Sequence, residues 1–176
     1  MQQNFAAALS LVLKAEGGFV DDPRDPGGAT NMGITRQTLA AWRHVVPWQK
    51  LPTAAVQQLS RDEAADIYKV EFWDRIDGDA LPAGVDYALF DFAVNSGWPR
   101  AVMTFQEIVG TAPDGKIGPL TLAAVGKEQP TFLITKLCAM RLNFMQKLST
   151  WPRFGAGWTR RVAAVEQTAL KMVHPA

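Results

Sequence analysis

The sequence predicts a mostly α-helical protein of about eight helices, with one small β-hairpin after the first. Three observations carry that prediction. Apolar residues recur at helical spacing in successive segments of the 176-residue chain. Gly, Pro and short polar side chains stand where those segments should start or stop. One stretch, Asp-Asp-Pro-Arg-Asp-Pro-Gly-Gly at residues 21–28, is dense enough in turn formers to fold back on itself. With 48% hydrophobic and 20% charged residues, the chain has the balance of a globular protein rather than a disordered one. Its length suits one domain, or one domain with a small appendage.

The first helix carries Phe5, Ala8, Leu9, Val12 and Leu13 on one stripe, with Asn4 as its cap and Gly17-Gly18 as its stop. Residues 19–35 read as loop and short hairpin. Thr35 caps a second helix with Leu39, Trp42 and Val46, ended by Pro47. Ser60-Arg61-Asp62-Glu63 matches a capping box and opens a helix with Ala64, Ile67, Tyr68 and Phe72 on one side. Pro82 opens the next, which runs to Ser96 and stops at Gly97. Val85, Ala88, Leu89, Phe92 and Ala93 form its stripe, while Phe90 and Val94 lie off it. A helix apolar nearly all round reads as the buried central one. Pro99 opens a helix with Val102, Phe105 and Val109, stopped by Gly110. Asp114-Gly115 is a turn. Gly118-Pro119 precedes a short helix with Leu122, Ala123 and Val125. Pro130 opens a long helix through Leu133, Leu137, Met140, Phe144 and Leu148. The last helix carries Trp158, Val162, Val165, Ala169 and Met172. No linker, repeat or low-complexity stretch interrupts this order.

Several function classes lose support at once. Eighteen basic against 17 acidic residues leave a net charge of +1, without the footprint of a general nucleic-acid binder. The Asp114-Gly115 turn and Gly118-Pro119 resemble a helix-turn-helix in outline, yet Leu120–Val125 brings no charged side chain to a phosphate. A single cysteine, Cys138, excludes an internal disulfide. It lies in a helical pattern and reads as packing rather than as a nucleophile. His44 and His174 are the only histidines, which argues against a His-based zinc site, and no metal or other cofactor is expected. The longest near-apolar run, Phe5–Leu13, is too short for a membrane span, which takes about 20 residues. No basic residue precedes that run and no small-residue cleavage site follows it. The expectation is a mature N-terminus on a cytoplasmic product, without signal peptide or stable membrane insertion. Arg153, Arg160, Arg161 and Lys171 form a basic set, either a solvated face or an attractor for an anionic cell wall.

Extending the stripe of the first helix by one step lands on Glu16. A carboxylic acid among apolar neighbours, at the partly negative end of a helix, holds its proton more firmly. A general acid needs that property. A helix-end Glu turned to solvent, or paired with Lys14 or an Arg, is the plainer alternative. Glycosidic cleavage usually takes an acid on one side of the bond and a carboxylate on the other. Asp21, Asp22 and Asp25 stand in the loop that leaves Glu16, and Thr30 follows. A loop hinged at Gly17-Gly18 could fold back and hold one of these carboxylates across a cleft. Aspartates beside prolines are also ordinary turn formers.

Residues 16–35, Glu-Gly-Gly-Phe-Val-Asp-Asp-Pro-Arg-Asp-Pro-Gly-Gly-Ala-Thr-Asn-Met-Gly-Ile-Thr, resemble the signature of the glycoside hydrolase family 108 muramidases. These belong to the lysozyme-like superfamily and include many phage endolysins. The resemblance implies a lysozyme-like fold and makes Glu16 the catalytic acid. Related phage lysozymes carry Glu, Asp and Thr in that order. Glu16, Asp25 and Thr30 are similar, with Thr30 one residue out of that spacing and Asp22 as the rival second carboxylate. Asp91-Phe92-Ala93-Val94-Asn95-Ser96-Gly97 resembles the family's central-helix motif. Phe105-Gln106-Glu107-Ile108-Val109-Gly110 and Asp114-Gly115-Lys116-Ile117-Gly118-Pro119-Leu120-Thr121 are similar to the predicted peptidoglycan-binding region that accompanies family 108 domains. Arg141-Leu142-Asn143-Phe144 and Phe154-Gly155-Ala156-Gly157-Trp158 match its later part. The implied arrangement is a catalytic region over residues 1–95 and a peptidoglycan-binding helical region over 96–176, packed into one compact body.

The implied activity is that of an endolysin-type lysozyme. It would hydrolyse the β-1,4 bond between N-acetylmuramic acid and N-acetylglucosamine in bacterial peptidoglycan. A lytic transglycosylase on the same bond and a non-catalytic wall-binding protein are the alternatives. With no export signal, a product made in the host cytoplasm of a phage lysis cassette would need a holin or similar pore to reach the wall, and a monomer is the default expectation. Asp91 and Asn95 share one face of an otherwise apolar helix. They either hydrogen-bond the sugar or cross-link neighbouring segments, since buried polar groups need partners. Tyr68, Trp73 and Trp98 offer flat rings that either stack on sugars or fill the core.

Overall fold

The computed structural model describes residues 2–21 and 27–173. Among those residues nine α-helices accompany one two-stranded antiparallel hairpin, so the fold is mostly helical as the periodicity predicts. Backbone contacts divide the chain into two compact units. The hairpin unit is Ala6–Glu71, and the bundle unit combines Met1–Phe5 with Phe72–Ala176.

Helix α1 (Gln2–Glu16), part of the hairpin unit from Ala6 on, buries Ala8, Leu9, Val12 and Leu13 of its predicted stripe, with Phe5 half-buried. The chain leaving it closes on itself. Val20 and Thr30 exchange both backbone hydrogen bonds, each 2.8 Å long. Strands β1 (Thr30–Asn31) and β2 (Ile34–Thr35) then pair, Thr30 with Thr35 and Asn31 with Ile34. Only Met32 and Gly33 connect them, at φ values of 50° and 75°. Two left-handed residues make the two-residue turn whose twist matches that of a hairpin. Glycine enters that region at little cost, whereas Met32 bears strain of about 1–2 kcal/mol.

Thr35 caps α2 (Arg36–Trp42), its hydroxyl accepting from the Thr38 N–H at 3.1 Å. The helix stops before the predicted breaker Pro47, because His44 already turns left-handed at a φ of 55°. Arg36 ties the following segment down, donating from Nε to the Leu51 carbonyl and from Nη2 to the Gln49 carbonyl, both at 2.6 Å. Helix α3 (Thr53–Gln57) is the one that the apolar pattern did not announce, since a five-residue helix holds too few positions to show a stripe. Its carbonyls hold the hairpin. The buried Asn31 amide donates to Val56 at 3.0 Å and to Gln57 at 3.3 Å. Ser60 caps α4 (Arg61–Tyr68) by accepting from the Glu63 N–H, as the capping box predicts. The helix widens into a π-turn over Lys69–Trp73.

In the bundle unit, α5 (Val85–Ser96) is buried continuously from Val85 to Ala93. It begins later than Pro82 predicts, because Gly84 adopts a φ of 85° and a side chain there would collide with the Ala169 carbonyl. Asp86 organises this start. Its Oδ1 accepts from the Gly84 N–H at 2.8 Å and the Tyr87 N–H at 2.7 Å, and its Oδ2 accepts from the Asn4 amide at 2.9 Å. Burial pushes the Asp86 carboxyl up, and these hydrogen bonds offset part of that rise.

Helices α6 (Trp98–Ile108), α7 (Pro119–Val125), α8 (Pro130–Gln146) and α9 (Trp151–Val173) complete the unit. The last begins well before the stripe that starts at Trp158. Gly155 permits this, since a Cβ there would stand 2.6 Å from the Trp151 indole. The buried Gln106 side chain clamps the loop between α6 and α7. Its amide donates to Asp114 Oδ1 at 2.8 Å and to the Lys116 carbonyl at 3.0 Å, and its Oε1 accepts from the Gly115 N–H at 2.9 Å. Among the described residues, no helix is long and apolar enough to cross a membrane.

Candidate active site

Glu16 is the last residue of α1, on the stripe that buries Leu9, Val12 and Leu13. It is half-buried, and its Oε1 is shut off from solvent. The turn of the hairpin lies against its stem. A Cβ built on Gly33 would stand 3.0 Å from Cγ and 3.1 Å from Cβ of Glu16. The Tyr68 hydroxyl is closer still to that point. This hydroxyl donates to the Met32 carbonyl at 2.9 Å. Glu16, the Met32–Gly33 turn and Tyr68 therefore form one packed cluster.

The cluster changes the reading of Tyr68. At 1% exposure its ring has no face to offer a sugar. Its hydroxyl instead holds the turn that packs against Glu16. Met32 and Gly33, which bear no reactive side chain, were not singled out by the sequence as site residues. The available signal was glycine at the second place of a two-residue link between Asn31 and Ile34.

Asp25 and Asp22, the two candidates for the second carboxylate, lie outside the described residues. Thr30 is half-buried on β1, its hydroxyl 3.4 Å from the Gly28 carbonyl, at the long end of the hydrogen-bond range.

The remaining candidates belong to the bundle unit. Asp91 is 1% exposed, and both its oxygens are engaged by guanidinium groups. Oδ1 accepts from Arg141 Nη1 at 2.7 Å, and Oδ2 accepts from Arg161 Nη2 at 3.0 Å. The expectation that Asp91 reaches the substrate gives way to its alternative, a cross-link joining α5 to α8 and α9. Arg161 is thereby drawn out of the basic set near the C-terminus. Trp73 is fully buried, edge-on to Phe5 and Phe90 at centroid distances of 5.3 Å and 5.4 Å. Its N–H donates to Asp79 Oδ1 at 3.1 Å, so it too is a core residue rather than a stacking platform. Asn95 is half-buried and accepts from the Ser96 hydroxyl at 3.2 Å. Trp98 is half-buried, with the Arg75 guanidinium 5.5 Å from its ring centroid. Cys138 is buried, and burial pushes its thiol up to about 12. It is no thiolate near neutral pH and cannot serve as a ready nucleophile.

What this arrangement can do is move a proton. Glu16, half-buried at the end of α1 with the hairpin turn against its stem, is the carboxyl of this cluster, a group that can exchange a proton with a bound molecule.

The family profile described as glycosyl hydrolase 108 matches residues 9–97, and that described as a predicted peptidoglycan domain matches residues 100–163. Among solved structures, SagA from Brucella abortus is 46% identical, covering 100% of this chain and 99% of that one, with a TM-score of 0.89. No curated protein matches. The two profiles meet between residues 97 and 100, whereas the division by contacts falls at residues 5–6 and 71–72.

Proposed function

This chain belongs to the glycosyl hydrolase 108 family, a glycosidase that acts on peptidoglycan, and from that premise we propose that Glu16 is its general acid. The bond cleaved is the β-1,4 link between N-acetylmuramic acid and N-acetylglucosamine, which makes the protein a muramidase of the lysozyme type. The single observation that carries this reading is the placement of Glu16, half-buried at the end of α1 with the hairpin turn packed against its stem. Glu16 donates its proton to the leaving oxygen as the bond breaks. A second carboxylate, Asp25 or its rival Asp22, positions water or stabilises the oxocarbenium-like transition state, with Thr30 assisting. Carboxyl separations of about 5–5.5 Å suit a retaining route and about 6.5–9.5 Å an inverting one. Asn95 and Trp98, both partly exposed, are the remaining candidates for contact with the sugar chain. The endolysin role belongs to the same proposal, with synthesis of a monomer in the host cytoplasm and a holin for passage to the wall.

Mass spectrometry of products from purified peptidoglycan tests the reading, with Glu16→Gln run in parallel. Products ending in reducing N-acetylmuramic acid, absent from the Glu16→Gln digest, are expected. Anhydro-muramic ends would identify a lytic transglycosylase instead. No products from the parent would leave wall binding as the function.

A further inference from the structure

The hairpin turn against Glu16 has three unusual properties at one place. Met32 is a non-glycine residue held left-handed at a φ of 50°. Its carbonyl accepts from a hydroxyl on a side chain only 1% exposed, that of Tyr68. The next residue, Gly33, occupies a point where a methyl group would meet the Tyr68 hydroxyl and both stem carbons of Glu16. Backbone strain persists only where the surroundings over-determine it, and it gathers at sites where position matters. Here the strained turn, the buried hydroxyl and the missing side chain all bear on one carboxylic acid.

We infer that Gly33 and Tyr68 are positioning residues for Glu16. The turn passes close enough to limit the directions open to the Glu16 side chain, and Tyr68 fixes the turn. Together they set where the carboxyl meets the glycosidic oxygen. The inference rests on the reading of Glu16 as the general acid. It reaches further, because it assigns a role in rate to two residues that touch no substrate. A misplacement of about 1 Å can cost roughly 100-fold in rate, so small shifts of this stem should be visible.

The test measures kcat, KM and Tm on soluble peptidoglycan fragments for Gly33→Ala, Tyr68→Phe and the double variant. The parent and Glu16→Gln serve as references. Gly33→Ala collides with both the Tyr68 hydroxyl and Glu16, and should lose stability and activity. Adding Tyr68→Phe removes the hydroxyl and leaves the contact with Glu16. The double variant should regain Tm over Gly33→Ala, while kcat stays at least about tenfold below the parent and KM within about twofold. Recovery of kcat together with Tm would overturn the inference and leave Gly33 a packing residue. If both Gly33→Ala proteins fail to fold, Tyr68→Phe alone decides. It should lower kcat about three- to tenfold with KM unchanged. A lower Tm with unchanged kcat would overturn the inference. An inactive parent, or an active Glu16→Gln, would refute the acid assignment beneath it, so the two failures are told apart.

Discussion

The hairpin unit and the bundle unit each carry a carboxylate on the face a helix turns inward, and the two are housed differently. Asp91 lies in the middle of α5, fully buried, between the guanidinium groups of Arg141 and Arg161. Glu16 lies at the end of α1, half-buried, with backbone of a hairpin turn against its stem. A charge removed from water needs ionic or hydrogen-bonding partners, so the complete burial of Asp91 goes with its two cations. That carboxylate is committed to holding helices together. Partial exposure leaves Glu16 a side from which another molecule can approach. An inward-facing carboxylate on a helix is thus noteworthy in either unit, and the degree of burial distinguishes the two.

Substitutions can break or sharpen this contrast. The largest effect expected is on turnover. Glu16→Gln should lower kcat by about 100-fold or more, the scale of general acid catalysis, with thermal unfolding within a few degrees of the parent. Asp91→Ala should do the reverse. Leaving Arg141 and Arg161 without their carboxylate should cost about 3–5 kcal/mol in denaturant unfolding, while turnover per folded molecule stays near the parent's. A loss of turnover without a loss of stability would return Asp91 to the substrate.

A smaller effect concerns pH. The folded state raises the Asp86 carboxyl above its ordinary value of 3.8. The associated stability is therefore complete below that ordinary value and is lost as pH rises through the raised one. Asp86→Asn cannot ionise, and it keeps the Oδ1 acceptor if Asn4 turns its amide. Its stability relative to the parent should improve from pH 4 to pH 7, read as a difference in Tm. No change in that difference would mean that hydrogen bonding cancels the effect of burial at this site, and a worsening with pH would mean that it outweighs it.

The smallest effect is expected at Arg43 and Glu63, a part-exposed ion pair in the hairpin unit with an N–O distance of 2.6 Å. Arg43 holds the Glu63 carboxyl below its ordinary value of 4.5. Its contribution is present above that value and lost as pH falls through the lowered one. Glu63→Gln should cost less than about 1 kcal/mol at neutral pH, and less still in acid, by denaturant titration.

Local signals were legible in the sequence. The stripe from Leu9 to Leu13 pointed to Glu16, Thr35 and Ser60 cap the helices they were expected to cap, and α5 is as buried as its composition implies. Each depends on neighbours within about a turn of helix. Partners brought from far along the chain were not legible. Arg141 and Arg161 lie 50 and 70 residues from Asp91, and nothing in the spacing around Asp91 names them. Trp73 illustrates the same limit, since an aromatic residue on a helix reads alike whether its neighbours are Phe5 and Phe90 or a sugar. Gly33 is legible in the sequence only as part of a motif. The contact that gives it meaning, with the stem of Glu16, exists only in three dimensions.

The Gln106 clamp has a bearing on how the protein ages. An Asp-Gly pair is prone to cyclise when the glycine nitrogen attacks the aspartyl carboxyl, and the ring reopens largely as a kinked isoaspartyl backbone. In Asp114-Gly115 that nitrogen is held by Gln106 Oε1 at 2.9 Å. The Gln106 amide and the Lys116 N–H also hold the Asp114 carboxyl below its usual range, in the ionised form that is the poorer electrophile. One buried amide thus restrains both reactants of a slow chemical decay. The loop should gain chemical shelf life from this one side chain.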